Sequence, residues 1–243
     1  MKKGVFMKRF LSVLVVVIMC LSTAACGISN YDPVGDYMSY SPSAAGVQTD
    51  FKLQELQGSK NVKPYLTIEN KDGALAFADS SYIGSVELAE DTLVLHRVES
   101  SEEGAAKDIS DELLNDNLVP RDVEYFIYKD YLIGKDLSME VVSGSLPSKG
   151  FSDFSVEPSY NEVAPYCIDF FDDGSCEFEG EIFNTTVFAE GEYEIDGQFI
   201  YIVLESMEDD YDSYSGECEY ILFIKDGVVY SDVYKKCKGD DTK

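Results

Sequence analysis

Pro64-Tyr65-Leu66-Thr67-Ile68-Glu69-Asn70-Lys71-Asp72-Gly73-Ala74-Leu75-Ala76-Phe77 alternates apolar with polar or small residues on both sides of an Asp-Gly pair. That is the mark of two antiparallel strands joined by a two-residue turn. Such a turn puts Ile68 opposite Phe77 on one buried face. The pattern returns without a gap as Pro165-Tyr166-Cys167-Ile168-Asp169-Phe170-Phe171-Asp172-Asp173-Gly174-Ser175-Cys176-Glu177-Phe178, with Pro, Tyr, Asp, Gly and Phe coincident. Here two registers compete. A two-residue turn at Asp173-Gly174 opposes Asp169 to Phe178, whereas a three-residue loop Asp172-Asp173-Gly174 opposes Ile168 to Phe178 and Phe170 to Cys176. The second leaves Glu177 and Glu179 in solvent and is favoured, with Gly174 left-handed.

Two further blocks keep the same order in both halves. Gly84-Ser85-Val86-Glu87-Leu88 resembles Gly191-Glu192-Tyr193-Glu194-Ile195, and Glu124-Tyr125 with Lys129-Asp130 resembles Glu219-Tyr220 with Lys225-Asp226. An internal duplication follows. Other strand-like runs are Val34 to Tyr40, Ser85 to Ala89, Leu93 to Val98, Tyr125 to Tyr128, Tyr131 to Gly134, Val187 to Ile195, Phe199 to Glu205, Tyr220 to Ile224 and Val228 to Tyr234. Helix is sparse: Asp108 caps a short stretch through Asn117 with Ile109, Leu113 and Leu114 on one side, and Thr49 to Leu56 forms another turn or two. The expected fold is all-β, two antiparallel meander barrels or sandwiches in tandem with one or two short helices. Its parts are residues 34–143 and 151–238, separated by the linker-like 144–150.

Forty-six Asp and Glu against 19 Lys and Arg give a net charge of −27. Such a surface repels phosphate backbones, which disfavours nucleic acid as a partner, and points to cationic or neutral ones. Apolar residues at 45%, with 17 Tyr and 14 Phe, are enough for a core and exclude disorder over most of the chain.

Lys2, Lys3, Lys8 and Arg9 precede an apolar run from Phe10 to Met19, and Leu21-Ser22-Thr23-Ala24-Ala25-Cys26 follows. A basic start, an apolar centre and small residues before a cysteine resemble a bacterial lipoprotein signal. The apolar run falls short of the ~20 residues a spanning helix needs. Residues 1–25 are thus expected to be removed, Cys26 to be diacylated, and 26–33 to serve as a short tether at the outer face of the cell membrane. Gly35-Asp36-Tyr37, the helical stretch near Thr49 to Leu56, Leu66-Thr67-Ile68 with Asp72-Gly73, then Gly84 and Leu93-Val94-Leu95 resemble the small lipocalin-like domains of Gram-positive surface lipoproteins. The resemblance implies a compact antiparallel β domain behind a lipid tether and carries over no catalytic residue. The second copy departs from it in lacking an evident Gly-x-Tyr opening strand.

Cys167, Cys176, Cys218 and Cys237 all fall in the second copy, and an extracytoplasmic address permits disulfides. A turn at Asp226-Gly227 sets Cys218 and Cys237 on one face, so a small bulge would bring them within bridging range; this is the preferred pair. A regular hairpin does not bridge Cys167 to Cys176, whose state stays open. No C-x-x-C pair occurs, His96 is the single histidine and stands in a strand, and no nucleophile elbow, P-loop or zinc-helix motif is present, so no metal, cofactor or catalytic residue is assigned. The acidic run from Glu205 to Glu217, with Asp209, Asp210, Asp212 and Glu217, is a candidate weak cation or partner loop, weighed against a plain solvated hairpin. The expected role is a non-catalytic binding module for a small apolar ligand, a cationic protein or a glycan. Its rivals are a carboxylate-based envelope hydrolase and a structural spacer.

Overall fold

The computed structural model describes residues 31–57, 65–79, 82–89, 91–100, 122–159 and 165–238. Cys26 and the helix expected over 108–117 lie outside them. Residues Val34 onward form one compact unit built from two closed eight-stranded antiparallel barrels.

Barrel 1 contains β1 (Gly35–Ser39), β2 (Tyr65–Lys71), β3 (Ala74–Ala78), β4 (Tyr82–Ala89), β5 (Thr92–Ser100), β6 (Asp122–Tyr128) and β7 (Tyr131–Gly134), closed by β16 (Val233–Lys236). Barrel 2 contains β8 (Ser138–Gly144), β9 (Phe154–Pro158), β10 (Tyr166–Phe170), β11 (Ser175–Ile182), β12 (Thr185–Asp196), β13 (Phe199–Asp209), β14 (Ser213–Lys225) and β15 (Val228–Tyr230). A single helix among the described residues, α1 (Ala44–Gln57), follows β1.

Both quoted hairpins take the expected registers. Ile68 faces Phe77 across Asp72 and Gly73, whose φ values of 54° and 89° suit a mirror-image turn. Ile168 faces Phe178 and Phe170 faces Cys176, with Gly174 at φ 91°. The Gly84 and Gly191 blocks are also equivalent. Each glycine sits at a register shift, between Ile83 and Gly84 in one barrel and between Glu190 and Gly191 in the other. A Cβ on Gly84 would lie 1.9 Å from the carbonyl oxygen of His96, and one on Gly191 2.0 Å from that of Val203. Only glycine permits this approach of the bulged strand to its neighbour.

The strand allotment departs from the expected division at 144–150. β8 follows β7 in sequence yet pairs with β15 and β9 in barrel 2, and β16 follows β15 yet pairs with β7 and β1 in barrel 1. Each copy gives its eighth strand to the other barrel, an exchange within one chain. The break in the run Val228 to Tyr234, at Ser231-Asp232, is the crossing point. Gly144, expected as the start of the linker, ends β8, and Phe154–Pro158 is the opening strand of the second copy, without the Gly-x-Tyr signature of the first.

Outward side chains of the two barrels make a joint core. Tyr131 and Ile133 of β7 and Val233 pack with Phe199, Ile221 and Phe223 of β13 and β14, and the Tyr131 and Phe199 ring centroids are 4.5 Å apart. Lys225 lies 3.7 Å over the Phe126 ring, a cation–π contact across this joint. The amide of Ile221 donates to the carbonyl of Tyr40 at 2.9 Å.

Candidate functional site

The two barrels differ at one end, called upper here, where β3 and β11 finish. In barrel 2 this end is sealed. Ala44, Val47 and Phe51 of α1 are almost wholly buried in a core with Tyr166, Phe178 and Met207, and a Cβ on Gly180 would touch Ala44 at 2.7 Å. Polar bonds fix the helix on the rim. Lys52 pairs with Asp209 at 2.8 Å, Gln48 donates to the same carboxylate at 2.9 Å, and Tyr220 donates to Asp50 at 2.9 Å. Burial alone would raise Asp209. Lys52, the amides of Tyr211 and Asp212 and the Gln48 amide outweigh it and hold the carboxyl at about 2. That bonding contributes stability above the ordinary aspartate range, and it is lost as pH falls toward 2.

The upper end of barrel 1 is polar inside. By alternation Leu93 and Leu95 point inward on β5, which places Arg97 in the interior at its upper limit. Tyr125 of β6 and Tyr234 of β16 meet there edge-on, 6.0 Å between centroids. Asp232 closes the group: its carboxyl occupies the space over Gly134, where a Cβ would come within 2.2 Å of its oxygen. Ser41 donates to Asp232 at 3.2 Å and accepts from Ser39 at 3.1 Å and from the amide of Val233 at 3.1 Å. Burial raises the Asp232 carboxyl to about 6, against the pull of Ser41 and of the Arg97 charge, with Asp136 adding to the rise. Burial likewise raises the Tyr125 and Tyr234 hydroxyls, and Asp232 raises them further. Arg97 also stacks on Tyr82, 4.4 Å from its centroid.

Equivalent positions follow from the ladders. Gly84 pairs with Arg97 and Gly191 with Leu204; Leu93 pairs with Tyr125 and Ile200 with Leu222. Tyr234 faces Leu132 and Met139 faces Val229. The amide of Gly134 donates to Asp232, as that of Ser231 does to Leu137. Arg97, Tyr125, Asp232 and Tyr234 in barrel 1 are therefore Leu204, Leu222, Leu137 and Met139 in barrel 2. These pairings also shift the third repeat block, since Tyr220 corresponds to Val123 and not to Tyr125.

The expected site residues are dispersed. Asp209 is engaged by α1, while Asp210 and Asp212 form the exposed turn between β13 and β14 and Glu217 is exposed on β14, its carbonyl accepting from Gln54 at 3.1 Å. The described residues contain no group of three or more metal-ligating side chains. The Cys218–Cys237 bridge is not formed. Cys218 faces the barrel 2 core opposite Leu204, whereas the amide of Cys237 bonds the carbonyl of Asp36 beside barrel 1, because β16 has crossed over. Cys167 and Cys176 face opposite sides of their hairpin, and burial pushes each thiol up to about 12. His96 lies outside barrel 1, bonded to Asp122 at 2.8 Å and near Glu87 at 3.4 Å.

Beside these, a groove of about 320 Å³ lies on the outer face of β2 to β4, floored by Ala76 and Ala78 and edged by Glu69 and Lys71. It has no convergence of inward polar side chains like that above Leu132. Comparison with protein-family models, with curated proteins and with solved structures finds no match to the chain.

Proposed function

We propose that the protein is a non-catalytic binding module, lipid-anchored through Cys26 at the outer face of the cell membrane, which takes a small ligand at the upper end of barrel 1. One observation carries the ligand site: four inward positions that are apolar in barrel 2 hold Arg97, Tyr125, Asp232 and Tyr234 in barrel 1. Desolvated polar groups cost stability unless they have a use or full compensation, and they gather at binding sites. Asp232 and Arg97 would meet a hydrogen-bonding head, and the tyrosine rings an apolar body. Barrel 2, filled by its own side chains and α1, is the scaffold.

Two measurements test this reading. Native mass spectrometry of the gently purified full chain is expected to show a small-molecule adduct that disappears in an Arg97→Leu/Asp232→Leu variant; an adduct unchanged in that variant removes the site from barrel 1. Radiolabelled palmitate is expected on the wild type and not on Cys26→Ala, and label on both would dispose of the anchor. The raised Asp232 favours a second reading, a carboxylate hydrolase with Asp232 as general acid. A turnover of chromogenic glycosides at about pH 6 that Asp232→Asn leaves intact would end it.

A further inference from the structure

Two aromatic side chains stand in solvent at neighbouring hairpin tips of barrel 2. The turn between β11 and β12 is Phe183-Asn184, with φ of 48° and 67°. Asparagine tolerates that left-handed backbone, but phenylalanine has no intrinsic reason to occupy it. The ring gains nothing locally, since Phe183 is 92% exposed. The next turn, Asp210-Tyr211-Asp212, leaves Tyr211 79% exposed. It is held rigid by the Asp209 carboxylate, which accepts from the amides of Tyr211 and Asp212 at 3.0 Å each. Because Val187 on β12 faces Asp209 on β13, the tips stand side by side, two strand spacings or ~10 Å apart. They are the two most exposed large apolar side chains among the described residues.

Glu181, Glu208, Asp210 and Asp212 are exposed around them, in a chain of net charge −27. We propose that this end of barrel 2 is an interaction surface for a cationic protein, with Phe183 and Tyr211 entering apolar pockets while lysine or arginine side chains of the partner meet the acidic ring. Aromatic anchors ringed by charge are the usual form of an energetic centre at an interface. The same acids oppose insertion of the tips into an anionic leaflet. The surface is independent of the ligand site in barrel 1, which lies in the other barrel.

The test uses the full chain immobilised through its N-terminal end and a synthetic amphipathic Lys/Leu peptide as probe, at 150 mM salt. Wild type is expected to bind it at least tenfold more tightly than Phe183→Gly/Tyr211→Ser, and a Glu/Leu peptide of equal length is expected to bind neither. Phe183→Gly alone is expected to raise the thermal midpoint by a few degrees while weakening the peptide, since glycine relieves the backbone and removes the anchor. Equal affinity for both proteins would reduce the effect to bulk charge and overturn the proposal, as would no binding by either. Wild-type adsorption to phosphatidylglycerol vesicles that the double variant loses would assign the tips to a membrane instead.

Discussion

Barrel 1 and barrel 2 share bulge glycines and strand order, yet their upper ends have opposite chemistry. Barrel 2 carries Leu204, Leu222, Met139 and Leu137, the first three in one core with α1; at the matching positions barrel 1 carries Arg97, Tyr125, Tyr234 and Asp232. The helix itself belongs to the first copy, between β1 and β2. The helix of the first copy thus completes the second barrel, and the polar group stands at the matching end of the first. Duplication supplies two frames, and only one has to be a solid scaffold. The other is free to hold desolvated charge.

The exchange of eighth strands is the strongest way to break this pairing. Ending the chain after Ser231 removes β16, with buried Val233 and the inward Tyr234, and opens barrel 1 between β1 and β7. The expected cost is on the order of 5 kcal/mol or more, a large part of a domain's whole stability. Hydrogen exchange is expected to show loss of amide protection in β1 and β7 and retention in β10 to β13. Uniform loss would mean that the barrels do not unfold separately. Next in size is Phe51→Ala, which empties the cap of barrel 2 and is expected to cost about 3–5 kcal/mol in denaturant unfolding. A cost under 1 kcal/mol would show that the helix covers the barrel without filling it.

Asp232→Asn sharpens the contrast from the other side. The Asp232 carboxyl is raised from 3.8 to about 6 in the fold, so the native state binds more protons between those values and stability falls as pH rises through them. Asparagine keeps an acceptor for Ser41 and has no charge to bury. The variant is expected to match wild type near pH 4 and to exceed it by about 2 kcal/mol at pH 8. Equal stability at both pH values would mean that the carboxyl is solvated and that the polar end of barrel 1 carries no cost.

Much of this frame was readable in the residues. Alternation and Asp-Gly placed both quoted hairpins, down to Phe170 opposite Cys176, because a one-residue slip would have turned every apolar side chain outward. Strand exchange was not readable. Local pattern specifies which face of β8 or β16 is buried, and the two barrels offer nearly the same slot, so the choice rests on long-range packing. Cys218 and Cys237 lie apart in the structure for this reason: Cys218 stays in barrel 2, while β16 carries Cys237 beside barrel 1. The site left a fainter trace. Arg97 follows Leu93 and Leu95 at inward spacing, and Ser231-Asp232 interrupts an apolar run; each is a polar residue at a position the pattern assigns to the core. Neither signal named the partner across the barrel, because Arg97 and Asp232 are far apart in sequence.

The outer face offers the smallest test of the comparison. His96, adjacent to Arg97 but pointing out, pairs with Asp122 across β5 and β6; the matching pair in barrel 2 is Val203 and Glu219. The hydrogen bond to Asp122 is the largest cause of the upward shift of His96, and Glu87 adds to it against partial desolvation. A raised histidine contributes stability that is complete below its unfolded value near 6.5 and is lost as pH rises through the folded one. With the ring about one-third exposed, solvent limits the contribution to a few tenths of a kcal/mol. The chain has one histidine, so its NMR titration is unambiguous. Asp122→Asn is expected to move the midpoint down toward 6.5 while leaving the midpoint of unfolding almost unchanged, and a large loss of stability instead would mean that the rim of barrel 1 is held by its outer charges and not by the group around Asp232.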